Sequence, residues 1–288
     1  MPSRGVILMT EQFSAMELVQ IVQSIESLGY DSIWLPELFG REPIATAGFL
    51  LARTERIVIA TGIANVYARD PHAMAQTQQT LAELSGGRFM LGLGVSNARV
   101  NGMRGHAWEA PLTKLTAFLD ALAAVNVDSP KPIQPAPIHI AAHGPQLQLL
   151  GAHRADGVIT FLMPEAHTRQ SRARIGAELP LSVVVPFLAE RDPAIARGKA
   201  RAALTVYMPL DYYHREWRKL GFTDADFMNG GSDQLIDTLV AWGDAGALSA
   251  RVDAVVRAGA TRVIVNPFGL KSKAGLDMRV LEQLSASH

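Results

Sequence analysis

The sequence contains no cysteine. This absence excludes disulfide bonds, thiolate metal sites, iron–sulfur clusters and a cysteine nucleophile. The chain also has no excess charge of either sign, because 27 lysine and arginine residues balance 27 aspartate and glutamate residues. Without a net electrostatic field, we expect neither a nucleic-acid partner nor attraction to an anionic membrane.

Long hydrophobic runs are missing as well. No window of the sequence approaches the length of a transmembrane helix, and residues 1–10 hold too short an apolar run for a secretory signal. We therefore expect a cytoplasmic protein that does not contact the membrane.

The common signatures of metal-dependent and nucleophilic catalysis are absent too. The eight histidines form no His-x-His pair of the kind found in barrel metallohydrolases, so we expect no metal site. Neither a Gly-x-Ser-x-Gly motif nor a phosphate-binding Gly-x-x-x-x-Gly-Lys-Ser/Thr motif occurs. The stretch GLGVSN at 92–97 lacks the third glycine of a dinucleotide-binding signature, which argues against a Rossmann fold.

What the sequence does contain is a regular alternation of short apolar runs with longer amphipathic segments. The runs, read as strands, are 5–9, 31–37, 56–62, 88–96, 136–142, 156–162, 181–189 and 261–268, and the clearest helical segments are 15–29, 43–54, 71–87 and 111–125. This alternation indicates parallel strands joined by right-handed crossovers, and eight units suit a closed (β/α)8 TIM barrel. A doubly wound open sheet is the alternative architecture. The 288 residues fit one barrel domain covering residues 1–288.

The segment 206–233 is longer and more aromatic than a barrel connection requires. We interpret it as an insertion before the eighth unit. Its aromatic side chains could cover an apolar substrate as a lid, and they are Tyr207, Tyr212, Tyr213, Trp217 and Phe222. An exposed subdomain or a dimer contact is the other interpretation of this segment.

In a TIM barrel the active site is built by the loops that follow the carboxyl ends of the strands. One such loop passes through His143 and Gly144 to Pro145 at the first position of a helix. Unobstructed backbone N–H groups at a helix N-terminus suit a phosphate group, although an ordinary tight turn would have the same sequence.

Two further strand ends carry polar side chains. Gly92 and Gly94 allow close backbone approach, and Ser96 and Asn97 could donate hydrogen bonds to a ligand, although the glycines could simply relieve crowding at the barrel rim. Glu37 ends an otherwise apolar strand, and a carboxylate there suits acid–base chemistry or hydrogen bonding. A solvated charge or a salt bridge to a neighbouring arginine is the alternative for Glu37.

Taken together, these segments resemble the bacterial luciferase-like family of flavin- and deazaflavin-dependent barrel enzymes. The most specific stretch is TGIANVYARDPHAMAQTQQTLAELSGGRFMLGLGVSN at 61–97, where the family shows an Asn, a Tyr-x-Arg-x-Pro pattern, a helix with Ala-Gln and LS-x-GRF-x-LG-x-G. YDSIWLPE at 30–37, AAHGP at 141–145 and ADGVIT at 155–160 extend the match, so that it covers most of the chain.

Within this family, the compact length is most similar to that of the members that use coenzyme F420. The resemblance therefore implies an F420-dependent oxidoreductase that transfers a hydride. An FMN-dependent monooxygenase is the first alternative, and a barrel that binds a flavin-like ligand without turnover is the second. The resemblance also implies a homodimer.

The resemblance implies particular roles for the residues at the strand ends. A non-proline cis peptide at Gly62–Ile63 would support the back of the deazaflavin ring, with Asn65 near the ring and Glu37 at its polar edge. The phosphate end of the coenzyme would meet two loops, formed by Val95, Ser96 and Asn97 and by Ala142, His143, Gly144 and Pro145.

Two positions depart from the family pattern. The sugar-phosphate and secondary-alcohol dehydrogenases of the family carry Asp-His where this chain has Glu37-Leu38, and the sugar-phosphate enzymes carry a glutamate where this chain has Asn97. These departures favour a reductase, in which reduced deazaflavin gives a hydride to an electron-poor C=C or C=N bond. The candidate proton donors are Glu37, His143 and Tyr67. Because no cluster of lysine and arginine marks a phosphate-bearing substrate, we expect a small apolar or uncharged one.

Overall fold

The structure, a computed structural model, describes residues 3–268 and 276–285. Its strands are β1 Ser3–Ile7, β2 Ser32–Leu35, β3 Val58–Thr61, β4 Ala64–Asn65, β5 Phe89–Gly94, β6 Ile138–Ala141, β7 Gly157–Phe161, β8 Leu181–Leu188, β9 Ala241–Trp242 and β10 Arg262–Pro267. Eight of them pair in the order β10-β1-β2-β3-β5-β6-β7-β8, all parallel, and β8 pairs with β10 to close the sheet. The predicted TIM barrel is confirmed, and the open sheet is excluded.

Helices follow the strands. They are α1 Ala15–Ser27, α2 Pro43–Leu51, α3 Pro71–Leu84, α4 Ala98–Met103, α5 Pro111–Ala123, α6 Pro145–Arg154, α7 Glu165–Ile175, α8 Pro193–Leu204, α9 Asp211–Arg218, α10 Asp224–Phe227, α11 Asp233–Leu239, α12 Ala245–Arg257 and α13 Met278–Ser285. Among the described residues, no helix has the length and hydrophobicity needed to cross a lipid bilayer.

Local sequence explains where these helices begin. At α1, the side chain of Ser14 accepts a hydrogen bond from the backbone of Glu17, whose carboxylate binds the backbone N–H of Ser14 in return. At α3, Asp70 caps the helix by accepting the N–H of Ala73 at 2.9 Å, and Pro71 occupies the first turn. Each cap satisfies N–H groups that have no partner within the helix.

The barrel has two apolar layers, because alternate side chains of a strand point to opposite faces. The interior holds a compact cluster formed by Trp34, Ala60, Met90, Ile159, Val184 and Ile264. The larger outer layer lies between the strands and the helices. Side chains that point inward at the carboxyl ends of the strands therefore pack on this interior apolar cluster.

The predicted insertion at 206–233 contains α9, α10 and a 3-10 turn at Met228–Gly230, and it follows α8. Its apolar side chains share a core with α8, α11 and the ends of β7 and β8, and Trp217 is fully buried in this core. The indole Nε1 of Trp217 donates to the carbonyl of Leu162 at 2.9 Å, just after β7. The segment 206–233 is thus helical and packs against one side of the barrel mouth.

Candidate active site

Two glycines of β5 allow an apolar floor to form at the barrel mouth. A Cβ atom on Gly92 would lie 2.0 Å from the carbonyl oxygen of Thr61. One on Gly94 would lie 1.7 Å from Cδ1 of Ile63 and 3.3 Å from Cβ of Ala141. The side chain of Ile63 therefore lies across Gly94 and reaches towards the next strand. The expected close approach is present, and relief of crowding is part of the reason for these glycines.

The chain turns sharply between β3 and β4. The Gly62–Ile63 peptide bond is cis, which confirms the predicted geometry of this bond. Beyond the turn, Asn65 pairs in register with Gly94, and the N–H of Val66 donates to the carbonyl of Gly94 at 3.0 Å. The strand therefore bulges at residues 62–63 and then resumes its place beside β5.

Hydrogen bonds join this bulge to the loop after β5. The backbone N–H of Asn65 donates to Glu37 Oε2 at 2.8 Å, and its side-chain amide donates to Asn101 Oδ1, also at 2.8 Å. The amide of Asn101 in turn donates to the carbonyl of Val95 at 2.7 Å. Asn97 begins α4 by accepting the N–H of Val100 at 3.0 Å. These hydrogen bonds join the predicted residues at the ends of β2, β3 and β5 into one hydrogen-bonded frame.

Asn101 is absent from the sequence-based predictions, although it is fully buried and links two predicted loops. Its only sequence signal is a polar residue one turn inside a short helix. Such a residue is more often exposed, so the linking role becomes visible only once the fold brings the loops together.

The carboxylate of Glu37 is enclosed by arginines. Its side chain is 6% exposed and accepts a hydrogen bond from Nη1 of Arg69 at 2.8 Å, with Nη1 of Arg104 3.7 Å away. Burial opposes the charge of Arg69, but contacts with Glu37 and Glu42 outweigh it and raise the pKa of this guanidinium. The salt-bridge interpretation therefore describes the contacts of Glu37, and its role in catalysis or coenzyme binding stays a prediction.

His143 lies on the other side of the mouth, between β6 and α6. Its Nε2 accepts the backbone N–H of Phe161 at 3.3 Å, and its ring packs on Tyr213 and Tyr212 at centroid distances of 5.3 and 6.2 Å. Burial, helped by the nearby His167, lowers the pKa of His143 to about 3. The imidazole is thus neutral near pH 7, and the contact with Phe161 assigns its proton to Nδ1.

The N-terminus of α6 follows directly. Gly144 is the capping residue and Pro145 opens the helix, and no side chain in the described part of the chain caps this end. A Cβ atom on Gly144 would meet only Oε1 of Glu216, at 3.7 Å. Glu216, from the insertion, is itself paired with Lys219 at 2.7 Å. The helix end therefore offers free backbone donors beside an ion pair of the insertion.

Pairing of β5 with β6 brings the two halves of the predicted site together, since Leu93 lies opposite Ile140 and Gly94 approaches Ala141. The predicted residues thus occupy four neighbouring strand ends, those of β2, β3, β5 and β6. In the loop between β5 and α4, Ser96 has a positive φ of 57°, which turns the chain towards α4.

The backbone N–H of Tyr67 donates to Oδ1 of Asn65 at 3.1 Å, but the side chain of Tyr67 points away from this arrangement. Its hydroxyl accepts the backbone N–H of Glu109 at 3.0 Å, and its ring stacks on Trp108, with Nζ of Lys114 4.6 Å from its centroid. It lines a cavity of about 460 Å³ whose walls also include Arg69 and Lys114 but none of the floor residues.

Within 3–268 and 276–285, no group of three or more His, Asp or Glu side chains lies close enough together to hold a metal ion.

Comparison with known proteins agrees with this architecture. The model of the luciferase-like monooxygenase family matches residues 2–262. The chain is 24% identical to the 5,10-methylenetetrahydromethanopterin reductase of Archaeoglobus fulgidus, over 91% of this chain and 93% of the relative. It is 24% identical to the F420-dependent glucose-6-phosphate dehydrogenase of Intrasporangium calvum, over 80% and 81%.

Among solved structures, an F420-dependent secondary alcohol dehydrogenase in complex with an F420–acetone adduct superposes with a TM-score of 0.78. The two sequences are 15% identical, and the alignment covers 99% of this chain and 97% of that structure. At this identity the likeness concerns the fold.

Proposed function

This chain belongs to the luciferase-like monooxygenase family, and we propose that it is a coenzyme F420-dependent oxidoreductase within that family. The observation that carries the proposal is the apolar floor of Ile63, Gly94 and Ala141 beside the uncapped N-terminus of α6. A flat ring needs an apolar support, and a phosphate group needs backbone donors, and here the two are neighbours. The F420-dependent relatives support the choice of coenzyme.

The residues at the mouth fit such a coenzyme. Ile63 would support the ring, while Val95, Ser96 and Asn97 and the N–H groups following Gly144 would hold its phosphate end. A Cβ atom on Gly144 would meet nothing nearer than Oε1 of Glu216, at 3.7 Å, so the space beside this residue is open. When bound, the coenzyme supplies the hydride.

We propose that the chain works as a reductase rather than as an alcohol dehydrogenase. An alcohol must lose a proton as it loses hydride, and this requires a base at the mouth. Glu37 is held by Arg69 and by the backbone of Asn65, and His143, with a pKa of about 3, is a very weak base. Reduction of a double bond needs an acid instead. The uncharged floor favours a small apolar or uncharged substrate.

Rapid mixing of the protein with reduced F420 and a panel of electron-poor alkenes and imines tests this function. We expect absorbance of the oxidised coenzyme to appear in step with loss of the double bond. Oxidation of an alcohol panel by oxidised F420, with no reduction of alkenes or imines, would reverse the assigned direction. Oxygen-dependent turnover with reduced FMN would identify an FMN-dependent monooxygenase instead.

A further inference from the structure

We propose that Gln148 and His167 are positioning residues for the phosphate group of the coenzyme. They hold the turn at 142–144, which presents backbone N–H groups at the carboxyl end of β6. The inference rests on the proposed function, because it assumes that F420 places its phosphate at the N-terminus of α6. Neither residue lies in a loop that follows a strand, so the general rule for barrel active sites does not select them.

Gln148 supports the turn from within α6, where it is fully buried. Its Nε2 lies 3.1 Å from the carbonyl oxygen of His143 and 3.3 Å from that of Ala142, and it donates to Ser171 Oγ at 2.8 Å. Its Oε1 accepts a hydrogen bond from Arg174. A carbonyl can only accept and a guanidinium can only donate, so these partners fix which end of the amide faces the turn.

His167, in α7, is the second support, and it too is buried. Its Nε2 lies 2.8 Å from the same carbonyl oxygen of His143, and its Nδ1 lies 3.2 Å from Ser171 Oγ. Burial lowers the pKa of His167, so the ring is neutral near pH 7, and its one proton belongs on Nε2, which faces an acceptor. A carbonyl oxygen has two lone pairs, and here two buried donors occupy them.

The direction of these carbonyls determines where the neighbouring N–H groups point. In a trans peptide the C=O and N–H groups point in opposite directions, and both peptide bonds of the turn are trans. Both carbonyls face the buried polar side chains of α6 and α7. The N–H groups of His143 and Gly144 therefore point the other way, out of this packed layer.

These N–H groups are available to a ligand. In the part of the chain that the structure describes, the backbone N–H groups of His143 and Gly144 have no hydrogen-bond acceptor. The same holds for the N–H groups of Gln146 and Leu147, as expected of a helix start without a side-chain cap. Four backbone donors from five successive residues suit the oxygens of a phosphate group.

Apolar side chains at these two positions would pack without fixing the turn. Burying a side-chain amide and an imidazole costs free energy unless their polar atoms find partners. Here the partners are the carbonyls of the turn. Without these donors, the carbonyls would be free to rotate towards the mouth, where their negative ends would oppose a phosphate group. Gln148 and His167 therefore keep the oxygen ends of the turn away from the coenzyme.

The test measures binding of F420, and of the deazaflavin chromophore without its phosphate, by fluorescence. Gln148→Met and His167→Leu each remove one donor and keep an apolar side chain in its place. Both should weaken F420 binding about tenfold, because the N–H groups lose their fixed direction, and both should leave the affinity for the chromophore unchanged. His167→Gln should bind F420 nearly as well as the parent, since a glutamine amide can donate from the position of Nε2.

Gln78→Met is the matched control. Gln78, in α3, donates from Nε2 to the carbonyl of Ala136 at 2.6 Å, near the start of β6 and at the opposite end of this strand from the turn. Loss of this bond should lower the free energy of unfolding, as Gln148→Met does, and urea denaturation measures both losses. The affinity of Gln78→Met for both ligands should stay unchanged.

Hydrogen exchange followed by NMR identifies the donors in the parent. F420 should slow exchange of the N–H groups of His143 and Gly144, and the chromophore without its phosphate should not. Equal protection by both ligands would place the phosphate elsewhere and overturn the proposal.

The binding data separate this proposal from the proposed function. Equal F420 affinity in Gln148→Met, His167→Leu and the parent would overturn the positioning role and leave the proposed function intact. An equal loss of affinity for F420 and the chromophore would also overturn it, because the whole site would then be disturbed. If Gln148→Met does not fold, the two substitutions at His167 decide by the same criteria. If the parent does not bind F420, the proposed function fails and the positioning role fails with it.

Discussion

The two sides of the barrel mouth are built in different ways. On the side of β2, β3 and β5, directional hydrogen bonds join Glu37, Asn65 and Asn101 into one frame. On the side of β7 and the insertion, aromatic rings pack on one another, as Tyr213 does on Trp217 at 5.3 Å. Hydrogen bonds fix positions closely, whereas ring contacts tolerate small shifts. The first side suits an unchanging coenzyme, and the second suits a substrate that must enter and leave.

The largest expected effect comes from breaking the hydrogen-bonded frame. Glu37→Leu should lower the free energy of unfolding by about 3 kcal/mol, because it leaves the charge of Arg69 and the N–H of Asn65 without a buried partner. Urea denaturation measures this loss. The control is Glu109→Leu, since Glu109 is 48% exposed and its pair with Lys114 should contribute at most about 1 kcal/mol. Equally small losses of unfolding free energy in both variants would show that the hydrogen-bonded frame contributes little to stability.

A second prediction concerns the floor itself. Gly94→Ala should displace the Ile63 side chain, lower the free energy of unfolding by about 1–3 kcal/mol and weaken F420 binding about tenfold or more. Gly102→Ala is the control, because a Cβ atom there meets nothing within 4 Å, and it should leave F420 affinity unchanged. Coenzyme fluorescence and urea denaturation measure the two quantities. Unchanged F420 affinity in Gly94→Ala would show that the floor of Ile63, Gly94 and Ala141 does not contact the coenzyme.

The third prediction concerns the packed side and its pH dependence. Because the pKa of His143 is about 3 in the folded protein and about 6.5 when unfolded, only the unfolded chain binds a proton here as pH falls below about 6.5. This histidine should therefore cost up to about 1.4 kcal/mol of stability for each pH unit lost below that value. His143→Gln removes this contribution.

Urea denaturation at about pH 7 and about pH 5 tests this, and the variant should lose about 1–2 kcal/mol less than the parent between the two conditions. The control is His153→Gln, which changes an exposed residue of α6 and should follow the parent. Parallel losses in His143→Gln and the parent would show that the ring is not buried in neutral form.

Much of this structure follows from local sequence. The barrel is predictable because apolar runs and helix caps such as Asp70-Pro71 act within a few residues. The cis bond at Gly62–Ile63 is predicted only by the resemblance to the luciferase-like family, because no local propensity favours a cis bond that does not precede proline. Asn101 is not predictable in this way, because its importance depends on residues that are distant in the sequence. Its linking role arises only when α4 lies beside the bulge that carries Asn65.

The smallest expected effect concerns the point where the two sides meet. Glu216 lies close to the N-terminus of α6, so Glu216→Gln should remove a like charge from the expected phosphate position. We expect F420 to bind about threefold more tightly, a modest gain because Lys219 already offsets this carboxylate. The deazaflavin chromophore without its phosphate should bind equally to both proteins. An equal gain for both ligands would place the phosphate elsewhere.

The most direct test of the central claim is a fluorescence titration of the purified protein with F420 and, separately, with FMN. We predict saturable F420 binding in the micromolar range and no comparable binding of FMN. Tight FMN binding with no response to F420 would contradict the assignment of this barrel to F420-dependent hydride transfer.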